Sequence, residues 1–127
     1  MARKLLLASL LCVSLASGCT KSEPKELIRI ADFTERETKI KETTNEKNIS
    51  QMNWVIEKVI WKEDIFRPEG KKEYSFWLEE VGGKERITNY DVWFEDRQTI
   101  IFDKTNGKYG VIDNNRGVLI IKQMLTK

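Results

Sequence analysis

With its two cysteines set aside, this chain has only carboxylates, lysines, tyrosines and serines for acid–base or nucleophilic chemistry, because it contains no histidine. Three acidic pairs stand out: Glu63-Asp64, Glu79-Glu80 and Glu95-Asp96. Two carboxylates can cleave a glycosidic bond when they face each other across a cleft, about 5 to 10 Å apart. Adjacent strand residues point to opposite sides, so the members of each pair do not converge. We interpret them as solvated charges at turns and sheet edges, and we expect no enzymatic activity.

Both cysteines lie within the first 19 residues. Arg3 and Lys4 precede an apolar run from Leu5 to Leu15, and small residues stand directly before Cys19. A basic start and an apolar stretch of about 7 to 15 residues are typical of a secretory signal peptide, whereas a spanning helix needs about 20 apolar residues. We expect cleavage between Gly18 and Cys19, which removes residues 1–18 and leaves Cys19 as the one thiol of the mature chain.

Leu15-Ala16-Ser17-Gly18-Cys19 resembles the lipobox of bacterial lipoproteins. In that family leucine usually stands three places before the cysteine, where this chain has Ala16. The resemblance implies that the Cys19 thiol carries diacylglycerol and that the new amino terminus is acylated as well. Two or three acyl chains anchor a protein stably, whereas one holds only marginally. The expected partner of Cys19 is therefore a membrane.

The residue after the cysteine indicates which membrane. In Gram-negative lipoproteins an aspartate there favours retention in the inner membrane, and this chain has Thr20. The resemblance thus implies an outer-membrane protein facing the periplasm. The inner membrane and a Gram-positive cell surface are the alternatives.

Loss of the signal makes the chain electrically neutral. Two of the 22 basic residues, Arg3 and Lys4, precede the cut, which leaves 20 basic and 20 acidic residues. A neutral balance without a long basic cluster argues against a nucleic-acid partner. The lack of histidine and of free thiols also removes the usual zinc ligands. We expect neither a metal nor a cofactor.

Composition divides the mature chain near Ser50. Residues 19–50 are rich in mixed charges and poor in large apolar residues, which predicts a polar tether, partly helical over 25–41. Residues 51–127 hold all four tryptophans and all three tyrosines. This second part is predicted to be one β-rich domain.

Aromatic and β-branched runs broken by glycine and asparagine clusters predict successive antiparallel strands. Gly82-Gly83 predicts a hairpin between 74–81 and 86–94, and Thr105-Asn106-Gly107 predicts another between 98–103 and 109–113. A third turn at 114–117 precedes a strand at 118–124. The predicted fold is mainly β: a small antiparallel meander forming a curved sheet or a partly open barrel.

Residues 51–64 fit two structures. Met52, Val55, Ile56 and Val59 share one helical stripe, whereas the density of valine, isoleucine and tryptophan favours a strand. We predict a strand. The alternative is an α+β fold in which 51–64 is a packed helix.

A second, local resemblance covers 107–121. Gly107-Lys108-Tyr109-Gly110-Val111-Ile112-Asp113, followed by Val118-Leu119-Ile120, is similar to one copy of a WG-type β-repeat. Stacked repeats need at least three copies to share a core, so a single copy supports only the hairpin. Gly110 has its own physical reason, which is to relieve crowding or to form a bulge within a strand.

Tryptophans are the main functional signal of the domain, because tryptophan is enriched at protein interfaces. Trp77 adjoins Phe76 and Trp93 adjoins Phe94, so alternation places one ring of each pair on the opposite sheet face. We predict that Trp77 and Trp93 are partly exposed and contact a partner.

Two functions fit these observations. The first is a noncatalytic, membrane-anchored envelope lipoprotein that presents its β-rich domain to a protein of secretion, conjugation, phage exclusion or envelope assembly. The alternative is an envelope enzyme or inhibitor acting on peptidoglycan or its hydrolases.

Overall fold

The computed structural model describes residues 25–64, 67–83, 86–96 and 98–127, which form an open antiparallel sheet with helices on one face. The predicted signal, its predicted cleavage site and Cys19 lie outside the described residues. The strands are β1 (Glu26–Asp32), β2 (Lys39–Thr43), β3 (Ile60–Trp61), β4 (Tyr74–Glu80), β5 (Arg86–Phe94), β6 (Thr99–Asp103) and β7 (Lys108–Ile112). The helices are α1 (Glu46–Glu57) and α2 (Asn115–Thr126). The spatial order of the strands is β2-β1-β4-β5-β6-β7-β3.

A mainly β fold built around a meander is confirmed, since β4 to β7 are neighbours in chain order. Both predicted hairpins are present. Gly82 and Gly107 adopt φ values of 80° and 67° in the connections, a region that glycine enters without the steric cost of a Cβ. The sheet stays open rather than closing into a barrel.

The prediction of a polar tether over 19–50 is wrong for residues 26–50. β1 is hydrogen-bonded to β4 along its whole length and to β2 from Ile28 to Asp32, so it is an interior strand. Ile28 and Ile30 are buried, as is Ile49 in α1. The mean composition of this stretch concealed a short, nearly continuous apolar run, which is typical of a strand covered on both faces.

Residues 51–57 are helical rather than extended, so the alternative of a packed helix is correct there. The Asn45 side chain caps α1 by accepting hydrogen bonds from the Lys47 and Asn48 amides at 2.9 and 3.3 Å. Met52 and Val55 are buried on the predicted stripe. Only Ile60–Trp61 of this segment is a strand.

The C-terminal segment 118–124 was predicted as a strand and lies within α2. Asn114 caps this helix by accepting a hydrogen bond from the Gly117 amide at 3.0 Å. Ile121 and Leu125, about one helical turn apart, are buried, whereas Leu119, which a strand would place on the same face, is 57% exposed. The likeness to a WG-type repeat is thus limited to the β7 region.

Gly110 stands where β7 passes close to β3 and the end of α1. A Cβ at this position would lie 2.4 Å from Val59 Cγ1 and 2.9 Å from a ring carbon of Trp61. Crowding is therefore the reason for a glycine within this strand, as predicted.

Both helices pack on one face of the sheet and form the main core with it. They contribute Ile49, Met52, Val55, Ile121 and Leu125, and the sheet contributes Ile28, Ile30, Tyr74, Phe76, Tyr90, Val92, Ile101 and Ile112. Within the described ranges, neither helix has the length and apolar character needed to cross a membrane.

Candidate functional site

The face of the sheet opposite the helices carries the two predicted contact residues. Residues directly opposite across antiparallel strands share a face, and the register pairs Trp77 with Asn89, Ser75 with Asp91, and Trp93 with Ile100. We call this surface of the sheet, centred on Ser75, Trp77, Asn89, Asp91 and Trp93, the second face. Alternation thus separates each tryptophan from its neighbouring phenylalanine, as predicted.

The predicted exposure of Trp77 and Trp93 is wrong. Trp77 is 6% exposed and Trp93 is 9% exposed. The Arg86 guanidinium lies 3.9 Å from the centroid of the Trp77 ring, and the Tyr109 ring lies 6.0 Å from that of Trp93. Strand alternation predicts the sheet face on which a side chain lies. It does not predict whether neighbouring side chains cover that side chain. Contact of the two indoles with a partner stays a prediction, and it would require those neighbours to move.

A buried carboxylate with three partners lies between the tryptophans. Asp91 Oδ1 accepts a hydrogen bond from Ser75 Oγ at 2.5 Å and is 3.3 Å from Lys72 Nζ. Lys104 Nζ is 3.7 Å from the same oxygen. A buried charge is costly unless it is paired and hydrogen-bonded, and both conditions are met here. Asp91 therefore joins β4, β5 and the turn after β6 in one polar network.

An ion-pair chain crosses the sheet beside Trp77. Arg29 on β1 contacts Glu79 on β4 at 2.5 Å and Glu42 on β2 at 3.5 Å. Such a bridge links three adjacent strands, although pairs that are partly open to water contribute little stability. The Glu79 carboxylate is thus paired with Arg29. The register places Glu80 on the other face of the sheet.

Three buried polar atoms of the described residues have no hydrogen-bond partner, and all three lie on the second face. They are the indole nitrogens of Trp77 and Trp93 and the side-chain oxygen of Asn89. A buried group left unpaired costs about 1 to 3 kcal/mol. The second face therefore holds two N–H donors and one acceptor oxygen that have no hydrogen-bond partner among the described residues.

An open cavity adjoins the second face where β6 turns into β7. It has a volume of about 630 Å³, and its lining combines aromatic rings with charges of both signs: Lys62, Glu63, Asp64, Arg67, Phe102, Asn106, Gly107, Lys108 and Tyr109. The rings of Phe102 and Tyr109 stack at 4.4 Å on one wall. A ligand can enter this cavity without displacing the indoles.

Burial keeps Tyr90, on the helix-covered face of the sheet, in its neutral form. Burial raises the pKa of Tyr90, and the nearby Asp103 charge raises it further. Its ring stacks on Phe76 with centroids 5.1 Å apart. Tyr90 is therefore a neutral core residue rather than an acid or base.

The acidic pairs lie in different parts of the domain. Glu95 accepts a hydrogen bond from the Glu69 amide at 3.3 Å, and Glu63 and Asp64 line the mixed-charge cavity. Among the residues that the structure describes, no group of three or more histidine, cysteine or acidic side chains is placed to hold a metal ion.

Comparison of the chain with protein-family models, curated proteins and solved structures found no match. The site is therefore interpreted from its own geometry.

Sequence reasoning missed the Asp91 network. Alternation within 74–80 and 90–94 places Ser75 and Asp91 on the same faces as the tryptophans, so part of the signal was present. The register that sets these two residues opposite each other, and the approach of Lys72 and Lys104, depend on the fold.

The bond between Ser75 and Asp91 gives a stability prediction. We expect Ser75→Ala and Asp91→Ala to be non-additive in urea unfolding, with a coupling of about 1 to 3 kcal/mol, because each change removes the same charged hydrogen bond.

The exposed pair Thr34 and Asp32 is a matched control, with the same hydroxyl–carboxylate distance of 2.5 Å. Hydrogen bonds from Thr34 lower the pKa of Asp32. Because water competes for both exposed groups, the coupling energy between Thr34 and Asp32 should be smaller than that between Ser75 and Asp91. Equal coupling in the two pairs would contradict the buried network.

Proposed function

We propose that this chain is a noncatalytic, lipid-anchored protein of the bacterial cell envelope whose β-rich domain binds a protein partner. The anchor is proposed at Cys19, within Leu15-Ala16-Ser17-Gly18-Cys19. The proposed location is the outer membrane, with the domain in the periplasm. The partner site is the cavity beside the second face.

The single observation that carries the binding proposal is the composition of this cavity. Aromatic side chains and arginine are enriched at protein interfaces, and a few of them supply most of the binding energy. Phe102 and Tyr109 provide a stacked aromatic wall, and Arg67 lies in the same lining. The lining holds both acidic and basic residues, which favours a partner segment that carries both charges.

The anchor is tested by Cys19→Ser. We expect this variant to leave the membrane fraction for the soluble periplasmic fraction, because serine cannot take the thioether-linked diacylglycerol that holds the chain. Fractionation of intact cells after a high-salt wash measures this. A variant from which the signal has been cleaved but that still sediments with membrane would show that lipid on Cys19 is not the anchor.

The binding site is tested by photocrosslinking in intact envelopes. A photoreactive residue replacing Lys108, which lines the cavity, should yield one discrete protein adduct. Adding Arg67→Glu should reduce the yield, because it reverses a charge in the same lining.

The matched control replaces Leu119, an exposed residue of α2 away from the cavity. If the Leu119 probe gives the same adduct, or if the Lys108 probe gives none, the cavity is not the partner site.

A further inference from the structure

The end of the sheet where the chain enters the domain also carries a hairpin with exposed apolar residues. The Val81 amide donates a hydrogen bond to the Lys25 carbonyl at 2.9 Å, and Glu26 is paired with Glu80. The first described residue thus lies against the end of β4. We call the pair Val81 and Ile87, which lie at the end of β4 and the start of β5, the anchor-end hairpin.

The length of the preceding chain limits how far this hairpin can lie from a membrane. Lys25 is six residues after Cys19. Even a fully extended chain of that length spans only roughly 20 Å. If Cys19 bears lipid, the anchor-end hairpin is therefore the part of the described domain tied nearest to the bilayer.

The chemistry of the anchor-end hairpin suits a bilayer surface. Val81 is 48% exposed and Ile87 is 46% exposed. Leu78 pairs with Thr88 whereas Glu79 pairs with Arg86, so a bulge leaves Ile87 without a partner on β4. Bulges re-aim side chains, and here the bulge accompanies an aliphatic side chain that is half open to solvent. Charges of both signs surround this pair: Lys25 and Arg86 lie at the same end as Glu26 and Glu80.

The opposite end of the sheet carries an acidic depression. The connection from β5 to β6 lies there, and Glu69, Glu95 and Asp96 line a depression beside it. Bilayers with anionic headgroups attract basic segments and repel acidic ones. The exposed aliphatic residues Val81 and Ile87 thus lie at the end of the sheet away from this acidic depression.

From these observations we propose that the anchor-end hairpin contacts the lipid bilayer through Val81 and Ile87, forming a second membrane contact that orients the domain. This proposal rests on the proposed lipid at Cys19. Two aliphatic side chains bind a bilayer weakly by themselves. A short covalent link keeps the local concentration of membrane high, so a weak contact is sufficient. We expect the two side chains to reach the boundary between the lipid headgroups and the acyl chains.

The test uses single thiols in the lipidated chain. Cys12 leaves with the signal and the Cys19 thiol carries the lipid, so Val81→Cys provides one labelling site. An environment-sensitive fluorophore there, in vesicles of phosphatidylcholine and phosphatidylglycerol, should shift to shorter wavelength. A nitroxide attached near the top of a lipid acyl chain should quench it several-fold more than the same label at Leu119→Cys. Ile87→Cys is a second probe should Val81→Cys fail to fold.

The outcomes separate this proposal from the anchor itself. Flotation of the chain with vesicles, together with quenching at position 81 but not at 119, supports the contact. Flotation with equal and weak quenching at both positions overturns the contact and leaves the anchor intact. A label at 81 that is shielded in native envelopes but not in protein-free vesicles assigns the hairpin to a protein and also overturns it. A chain that does not float contradicts the anchor, and the proposal with it.

Discussion

The pairing of β1 with both of its neighbours is the constraint on which the rest of this structure depends. β1 is hydrogen-bonded to β4 on one side and to β2 on the other, and its side chains alternate between the two faces of the sheet. Ile28 and Ile30 enter the core beneath the helices, while Leu27 and Ala31 are buried on the second face. The same pairing fixes the point at which the chain enters the domain.

The two faces of the sheet differ in the kinds of side chain that they bury. The helix-covered face is an apolar core in which Ile28, Val92 and Ile121 are almost completely buried. The second face mixes indoles with the Asp91 carboxylate and its lysines, and its register places Arg29 opposite Trp77. Ionic groups seldom improve stability over apolar residues of the same volume. Their presence, with three unpaired polar atoms among them, makes this face the better candidate for recognition.

Local signals predicted local structure well. Gly82-Gly83 and Asn106-Gly107 marked two hairpins, and alternation assigned Trp77 and Trp93 to the face opposite their phenylalanine neighbours. Gly110 indicated crowding, which Val59 and Trp61 supply. Each of these inferences depends on a few neighbouring residues and on backbone geometry that glycine permits.

Features set by distant parts of the chain were not predicted. β1 was mistaken for a tether because its apolar run is short and lies within a charged segment, and only pairing with β4, more than forty residues later, makes it a core strand. Residues 51–57 and 118–124 were predicted as strands because β-branched residues favour strands locally, whereas burial against the sheet favours the helical stripe. The cover over Trp77 comes from Arg86, whose position depends on the bulge in β5.

The most direct test of this account compares two isoleucines of the segment that composition alone marks as a tether. Ile30 is 2% exposed in β1, and Ile40 is 61% exposed in β2. On the mature chain carrying Cys19→Ser, urea unfolding should show a loss of about 2 to 5 kcal/mol for Ile30→Ala, because a buried side chain leaves a cavity. Ile40→Ala should stay within about 0.5 kcal/mol of the parent. Two equally small losses would contradict the placement of β1 in the core.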